Sequence, residues 1–143
     1  MKRIKEENKK RYVADFETAQ DFDDMTYVWA WAICDCHTLK TEYGTEIKTF
    51  FDYLKSLNDQ SVVYFHNLKF DQTFILCYLI NNGWKQTQER AAKMKNKEFK
   101  ALTSGVGTAY SLTLCFNKKI ITICDSLKKL PFTVDKIAKD LDL

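Results

Sequence analysis

Two hydrophobic periods alternate along this chain, and that alternation constrains the fold more than any other feature. Arg11 to Glu17 reads as a first strand and Met25 to Cys34 as a longer one. In the second, Tyr27, Trp29, Trp31 and Ile33 share one face, and Val28, Ala30, Ala32 and Cys34 the other. Both faces are therefore expected to be buried. Asp21 to Asp24 is the turn that lets the two strands pair. The period then becomes helical: Ile47, Phe50, Phe51 and Leu54 recur at i, i+3, i+4 and i+7, behind Thr45 as N-cap. Ser61 to Phe65 is a short buried strand, and Phe70 to Asn82 a second helix stopped by Gly83 at the C′ position. Tyr110 to Phe116 alternates again, and Asn117-Lys118-Lys119 turns it into Ile120 to Cys124 as a hairpin. Pro131 breaks the chain, and Val134, Ile137, Ala138 and Leu141 make the stripe of a last amphipathic helix. Strands alternating with helices, with an early hairpin, predict an α/β domain on a mixed sheet.

The 143 residues suit one domain, and 45% apolar residues suffice for a core. The longest apolar run, Phe74 to Ile80, is far shorter than the roughly 20 residues of a membrane span. Residues 1–10 read as a frayed basic arm with no apolar signal-type segment behind it, so a cytoplasmic protein is expected. Five cysteines, an odd number, suggest free thiols in a reducing compartment. Cys34-Asp35-Cys36-His37 has no second Cys/His pair at finger spacing, so these read as strand-end thiols rather than a zinc site. Cys77, Cys115 and Cys124 fall in apolar stretches and are expected in the core. The last helix has neither a capping glycine nor a stop signal before Leu143, so the chain reads as cut rather than finished.

Charge is distributed unevenly. The net charge is only +3, which permits but does not demand a polyanionic partner. Residues 1–11 carry six Lys/Arg against two Glu, and residues 85–100 another six against two. Between Asp15 and Asp24 lie five acids and no base. An acidic spot within a basic surface suits a metal site that handles a polyanion; a solvated face is the plain alternative. Asp15 and Glu17, two apart on a strand, put both carboxylates on one face. Acids among Tyr12, Val13, Ala14 and Phe16 are costly to bury unless paired or bound to a hard cation such as Mg²⁺ or Mn²⁺. Asp71 opens the second helix, where it serves either as N-cap or as a third carboxylate brought across the sheet. His66 by itself reads as a locally hydrogen-bonded residue, and Phe70 as core packing. No Ser-His-Asp set, phosphate loop or dinucleotide fingerprint is present.

Three co-linear strings are more specific. They are Asp15-Phe16-Glu17-Thr18, then Tyr64-Phe65-His66-Asn67-Leu68-Lys69-Phe70-Asp71, then Asp125-Ser126-Leu127-Lys128-Lys129-Leu130-Pro131-Phe132. With them the chain, from Tyr12 onward, resembles the N-terminal 3′–5′ exonuclease domain of protein-primed family B DNA polymerases of small phages and linear plasmids. The resemblance implies a ribonuclease H-like mixed β-sheet flanked by helices. It makes Asp15 and Glu17 (first motif) and Asp71 (second motif) catalytic metal ligands for two Mg²⁺ or Mn²⁺ ions. Thr18, Asn67, Phe70, Ser126 and Leu127 match positions that hold the 3′ end of single-stranded DNA, with His66 and Phe132 as further contacts. Lys69, Lys128 and Lys129 are available for phosphates, although unaided each reads as a solvated lysine. Residues 11–143 would then be an exonuclease-like domain that stops before the family's third motif, which supplies a Tyr and a final Asp with a Lys before it. The remaining polymerase domains and a terminal-protein primer are implied as partners, with weak or absent nuclease activity for residues 1–143 alone; a monomer is the default expectation. The alternative is a stand-alone, catalytically impaired module of the same fold that binds single-stranded DNA or a replication protein.

Overall fold

The computed structural model describes residues 5–103, 109–128 and 131–142. Eight strands form one mixed sheet. They are β1 (Arg11–Gln20), β2 (Thr26–Asp35), β3 (Thr41–Gly44), β4 (Ser61–Phe65), β5 (Lys85–Gln86), β6 (Glu98–Thr103), β7 (Ala109–Phe116) and β8 (Lys119–Asp125). The spatial order is β3-β2-β1-β4-β8-β7-β6-β5. The helices are α1 (Ile47–Ser56), α2 (Leu68–Asn81) and α3 (Val134–Asp140). The α/β class and the mixed sheet expected from the alternating periods are observed.

β1 pairs antiparallel with β2, but parallel with β4, which in turn is parallel to β8. Parallel neighbours need crossovers, and α1 and α2 lie on these connections. The stripe read for α1 is the face that packs inward: Phe50, Phe51 and Leu54 are buried. Phe16 meets Phe50 and Phe65 edge to face, with ring centroids 5.0 Å apart in each pair. This aromatic knot fixes β1 against β4 and α1, and so fixes where the acids of β1 emerge.

Several local expectations are corrected. The second strand is not buried on both faces: Tyr27 and Trp29 are 47% and 48% exposed. The β1–β2 register shifts between Glu17 and Thr18, so the alternation read from sequence breaks there and the hairpin runs out beyond the core. Glu46, not Thr45, stands at the N-cap of α1, with no side-chain cap bond. Cys77 is exposed on the outer side of α2 and Cys124 is half-buried, while Cys115 is buried; no disulfide joins any of the five cysteines. The last helix buries none of its residues. The 117–119 turn is as expected: Asn117 and Lys118 have φ of 48° and 72°, as a tight hairpin requires. Among the described residues, no helix is long and apolar enough to cross a membrane.

β3 was not legible in the sequence, and a glycine explains its place. A Cβ on Gly44 would lie 2.5 Å from Nε1 of Trp31, a buried ring whose N–H donates to Thr49 Oγ1 at 2.9 Å. Gly44→Ala is expected to destabilise the fold by about 1–3 kcal/mol, as overpacking does. Urea unfolding measures this; an unchanged midpoint would mean the indole has another resting place.

Candidate functional site

Parallel strands end together. The C-terminal ends of β4 and β8 lie side by side at Phe65 and Asp125, with Ala14 of β1 beside Phe65, at the edge where open α/β sheets bind ligands. Each strand delivers one of the three motif strings to that edge.

The acids arrive by two routes. On β1, Tyr12 and Phe16 are buried while Val13, Asp15 and Glu17 are exposed, so the two carboxylates share one face as the strand period requires. The Phe16 N–H donates to Asp15 Oδ1 at 3.0 Å. Asp71 sits in the first turn of α2 and is 5% exposed. It is not the N-cap: that position belongs to Asn67, in the left-handed region at φ 63°, ψ 59°. Burial, then the carboxylate of Asp15, then that of Glu17 push Asp71 up from 3.8 to about 7. Asp15, exposed as a residue but with its carboxyl partly desolvated, is also raised, chiefly by that desolvation, with a further push from Glu17 against the pull of the Phe16 N–H. Like charges perturb one another this way only as near neighbours. Asp71 therefore feels the charges of Asp15 and Glu17 although it stands on α2, beyond β4, and they stand on β1.

These donors suit a divalent cation in kind and in charge. They are hard oxygens, and burial with the charges of Asp15 and Glu17 raises Asp71 to about 7. None of the ion pairs among the described residues involves Asp15, Glu17 or Asp71. Their spacing is open, since no group of three His, Cys, Asp or Glu among the described residues stands at joint coordination distance.

Hydrogen bonds tie His66 to Ser126 and Phe132 at this edge, and Asn67 and Leu127 to one acceptor there. Asn67 is exposed in the β4–α2 turn, and Phe70 is 54% exposed, its ring edge-on to Phe74 at 5.7 Å. That exposure excludes core packing as the role of Phe70. Ser126 and Leu127 lie in a 3₁₀ turn directly after β8, and Phe132 is 45% exposed. Thr18 follows the register shift of β1 and is half-buried. His66 ties two strings together: Nδ1 is 3.0 Å from Ser126 Oγ and Nε2 2.5 Å from the Phe132 carbonyl. Nε2 faces the carbonyl acceptor, and the Ser126 hydroxyl beside Nδ1 also donates to the Phe65 carbonyl at 3.3 Å. Lys69 is exposed, and Lys129 lies outside the described residues.

Sequence reasoning missed Asp125. It ends β8, is 8% exposed, and its Oδ1 accepts from the N–H of Asn67 at 3.0 Å and of Leu127 at 2.9 Å. An Asp closing an apolar strand, two residues before a turn amide, was the available signal.

No family model matches the chain. It is 36% identical to the DNA polymerase of Bacillus phage Nf, covering 95% of this chain and 24% of that protein. Against the DNA polymerase of Bacillus phage phi29 it is 37% identical over 94% of this chain and 23% of that protein. The DNA polymerase of Streptococcus phage Cp-1 is 31% identical, covering 89% and 22%. Phi29 DNA polymerase complexed with single-stranded DNA superposes with a TM-score of 0.82 and 33% identity, over 94% of this chain and 24% of that one. Its complex with primer-template DNA gives the same score. The chain spans about a quarter of the length of the curated relatives it matches. The resemblance to phage DNA polymerases is borne out: the chain is a homologue of one quarter of such an enzyme.

Proposed function

We propose that this chain is the 3′–5′ exonuclease portion of a phage-type, protein-primed DNA polymerase, with a ribonuclease H-like fold, and that it seats the 3′ end of single-stranded DNA over three carboxylates. The observation that carries the reading is Asp71. A carboxyl buried beside two others and raised to about 7 is an unfavourable arrangement unless a cation is to join it. The likeness to a polymerase solved with single-stranded DNA supports the choice of polyanion. The remaining polymerase domains and a terminal-protein primer are the proposed partners, and the intact enzyme is the proposed site of nucleotide addition.

Asp15 and Glu17 reach out from one face of β1, and Asp71 sits in the first turn of α2. Mg²⁺ or Mn²⁺ ions, when bound, supply an activated water and relieve charge on the leaving 3′ oxygen. The chain's own residues do the rest. The three acids hold positive charge at the edge of the sheet, where strand chemistry needs it. Phe70 offers an exposed ring on which any base can stack, a sequence-tolerant grip that proofreading requires. Asn67 and Ser126 present polar groups to the strand, with Thr18, Leu127, Phe132 and His66 around them, and Lys69 meets phosphate without reading bases.

Residues 1–143 are expected to bind a 5′-labelled oligo(dT) in fluorescence anisotropy, and to show little or no nuclease activity alone. Millimolar Mn²⁺ should raise the melting temperature by on the order of 5 °C in the wild-type chain. The shift should vanish in Asp15→Ala/Glu17→Ala. An equal shift in both proteins would remove the carboxylates from the metal site. The open spacing of the acids favours one other reading, a binding module without chemistry. It predicts oligonucleotide binding that is indifferent to Mn²⁺, persists in EDTA and weakens steeply with salt.

A further inference from the structure

Asp125 is a buried carboxylate that the cutting chemistry does not use. The two carboxylates that raise Asp71 are those of Asp15 and Glu17, and Asp125 is not among them. A buried acid must be satisfied by donors. Here a single oxygen takes two backbone amides, from Asn67 and Leu127, which are sixty residues apart in the chain. The bond to Leu127 is local, the i→i+2 contact that Asp makes in turns. The bond to Asn67 is not local. It becomes possible because parallel pairing sets Asp125 directly beside Phe65, two residues before Asn67. Asn67 is held at φ 63°, a conformation that L residues leave unless something fixes them. From that turn α2 starts, and with it Phe70 and Asp71.

We infer that Asp125 is a positioning residue for the single-stranded 3′ end. Its carboxylate locks the Asn67 turn to the Ser126-Leu127 turn, so that two DNA-facing segments close on the strand as one unit. The inference rests on the proposed function of the site and adds a residue to it. The lock requires an oxygen acceptor at this position, not a charge: an amide oxygen accepts the same two N–H groups. Removing the acceptor orphans two amides and frees both turns. The carboxylates of Asp15 and Glu17 stand on β1 and do not depend on it.

The test uses residues 1–143 and a 5′-fluorescein oligo(dT) in EDTA. Asp125→Ala is expected to raise Kd about tenfold or more, and Asp125→Asn to restore it to within about threefold of wild type. The Mn²⁺-dependent rise in melting temperature should be the same in wild type and Asp125→Asn. Unchanged binding in the Ala variant overturns the inference. So does an Asn variant as weak as Ala, because then charge rather than the acceptor matters. Should the Ala variant fail to fold, amide exchange decides: the Asn67 N–H must be protected in both wild type and Asp125→Asn, and fast exchange in wild type overturns the lock. A wild-type chain that binds no oligonucleotide would instead sink the reading of the site itself, together with this addition to it.

Discussion

A polymerase that carries this chain with Asp15→Ala and Glu17→Ala is expected to lose 3′ to 5′ digestion by roughly a thousandfold or more, while nucleotide addition stays near wild type. The size follows from what the two acids would hold. Charge relief on a phosphoryl oxygen contributes several kcal/mol to the barrier, and about 4 kcal/mol is a thousandfold in rate. The selectivity follows from the fold. Both side chains lie on the exposed face of β1, opposite the Tyr12 and Phe16 rings that build the core, so truncating them leaves the packing intact. Single-turnover digestion of a labelled mispaired primer and primer extension on the same preparation measure the two activities. Digestion that survives the double substitution, in a protein that still extends primers, would remove Asp15 and Glu17 from the chemistry. Loss of both activities would instead mean that β1 supports the whole enzyme.

How much of this was legible depended on range along the chain. The period of β1 placed Asp15 and Glu17 on one face because strand alternation is local. Phe50, Phe51 and Leu54 announced the inward stripe of α1 for the same reason. The hairpin at Asn117 and Lys118 was written in its own residues. What the sequence hid was long-range. Asp71 reads equally as a helix cap or as a third carboxylate, yet α2 starts at Leu68 behind Asn67, whose N–H donates to the distant Asp125. Trp29 looked buried, yet the register shift in the β1–β2 pair turns the strand outward there. Four residues of β3 are too few to declare a period, and their place follows from a tryptophan thirteen residues earlier that needs Gly44 beneath it. The electrostatic coupling of Asp71 to Asp15 and Glu17 belongs to this class too. Strand order decides it, and the motif strings pointed to it by likeness rather than by physics.

Asp71→Asn is expected to stabilise the metal-free chain at pH 8. In the unfolded chain Asp71 ionises near its ordinary 3.8; in the folded chain it does so near 7. Its folded-state pKa is raised, so its contribution is most favourable below about pH 4 and is lost as pH climbs to 7. Above that the loss is complete. A shift of this size corresponds to on the order of 2–4 kcal/mol for a group this well buried. Asparagine has nearly the same shape and is neutral at every pH, so it escapes the penalty that burial and the two neighbouring acids impose. Urea unfolding of both proteins in EDTA should therefore give midpoints that coincide near pH 4 and diverge steadily to pH 7, with the Asn variant ahead. Curves that stay parallel across this range would mean that Asp71 ionises without strain, and the electrostatic case for a cation would go with it. Divalent cations should reverse the order, since a bound cation favours the ionised acid and stabilises only the protein that has it. A protein that becomes more stable when one acid of its site is neutralised, and only while cations are withheld, holds that acid for its ligand rather than for its fold.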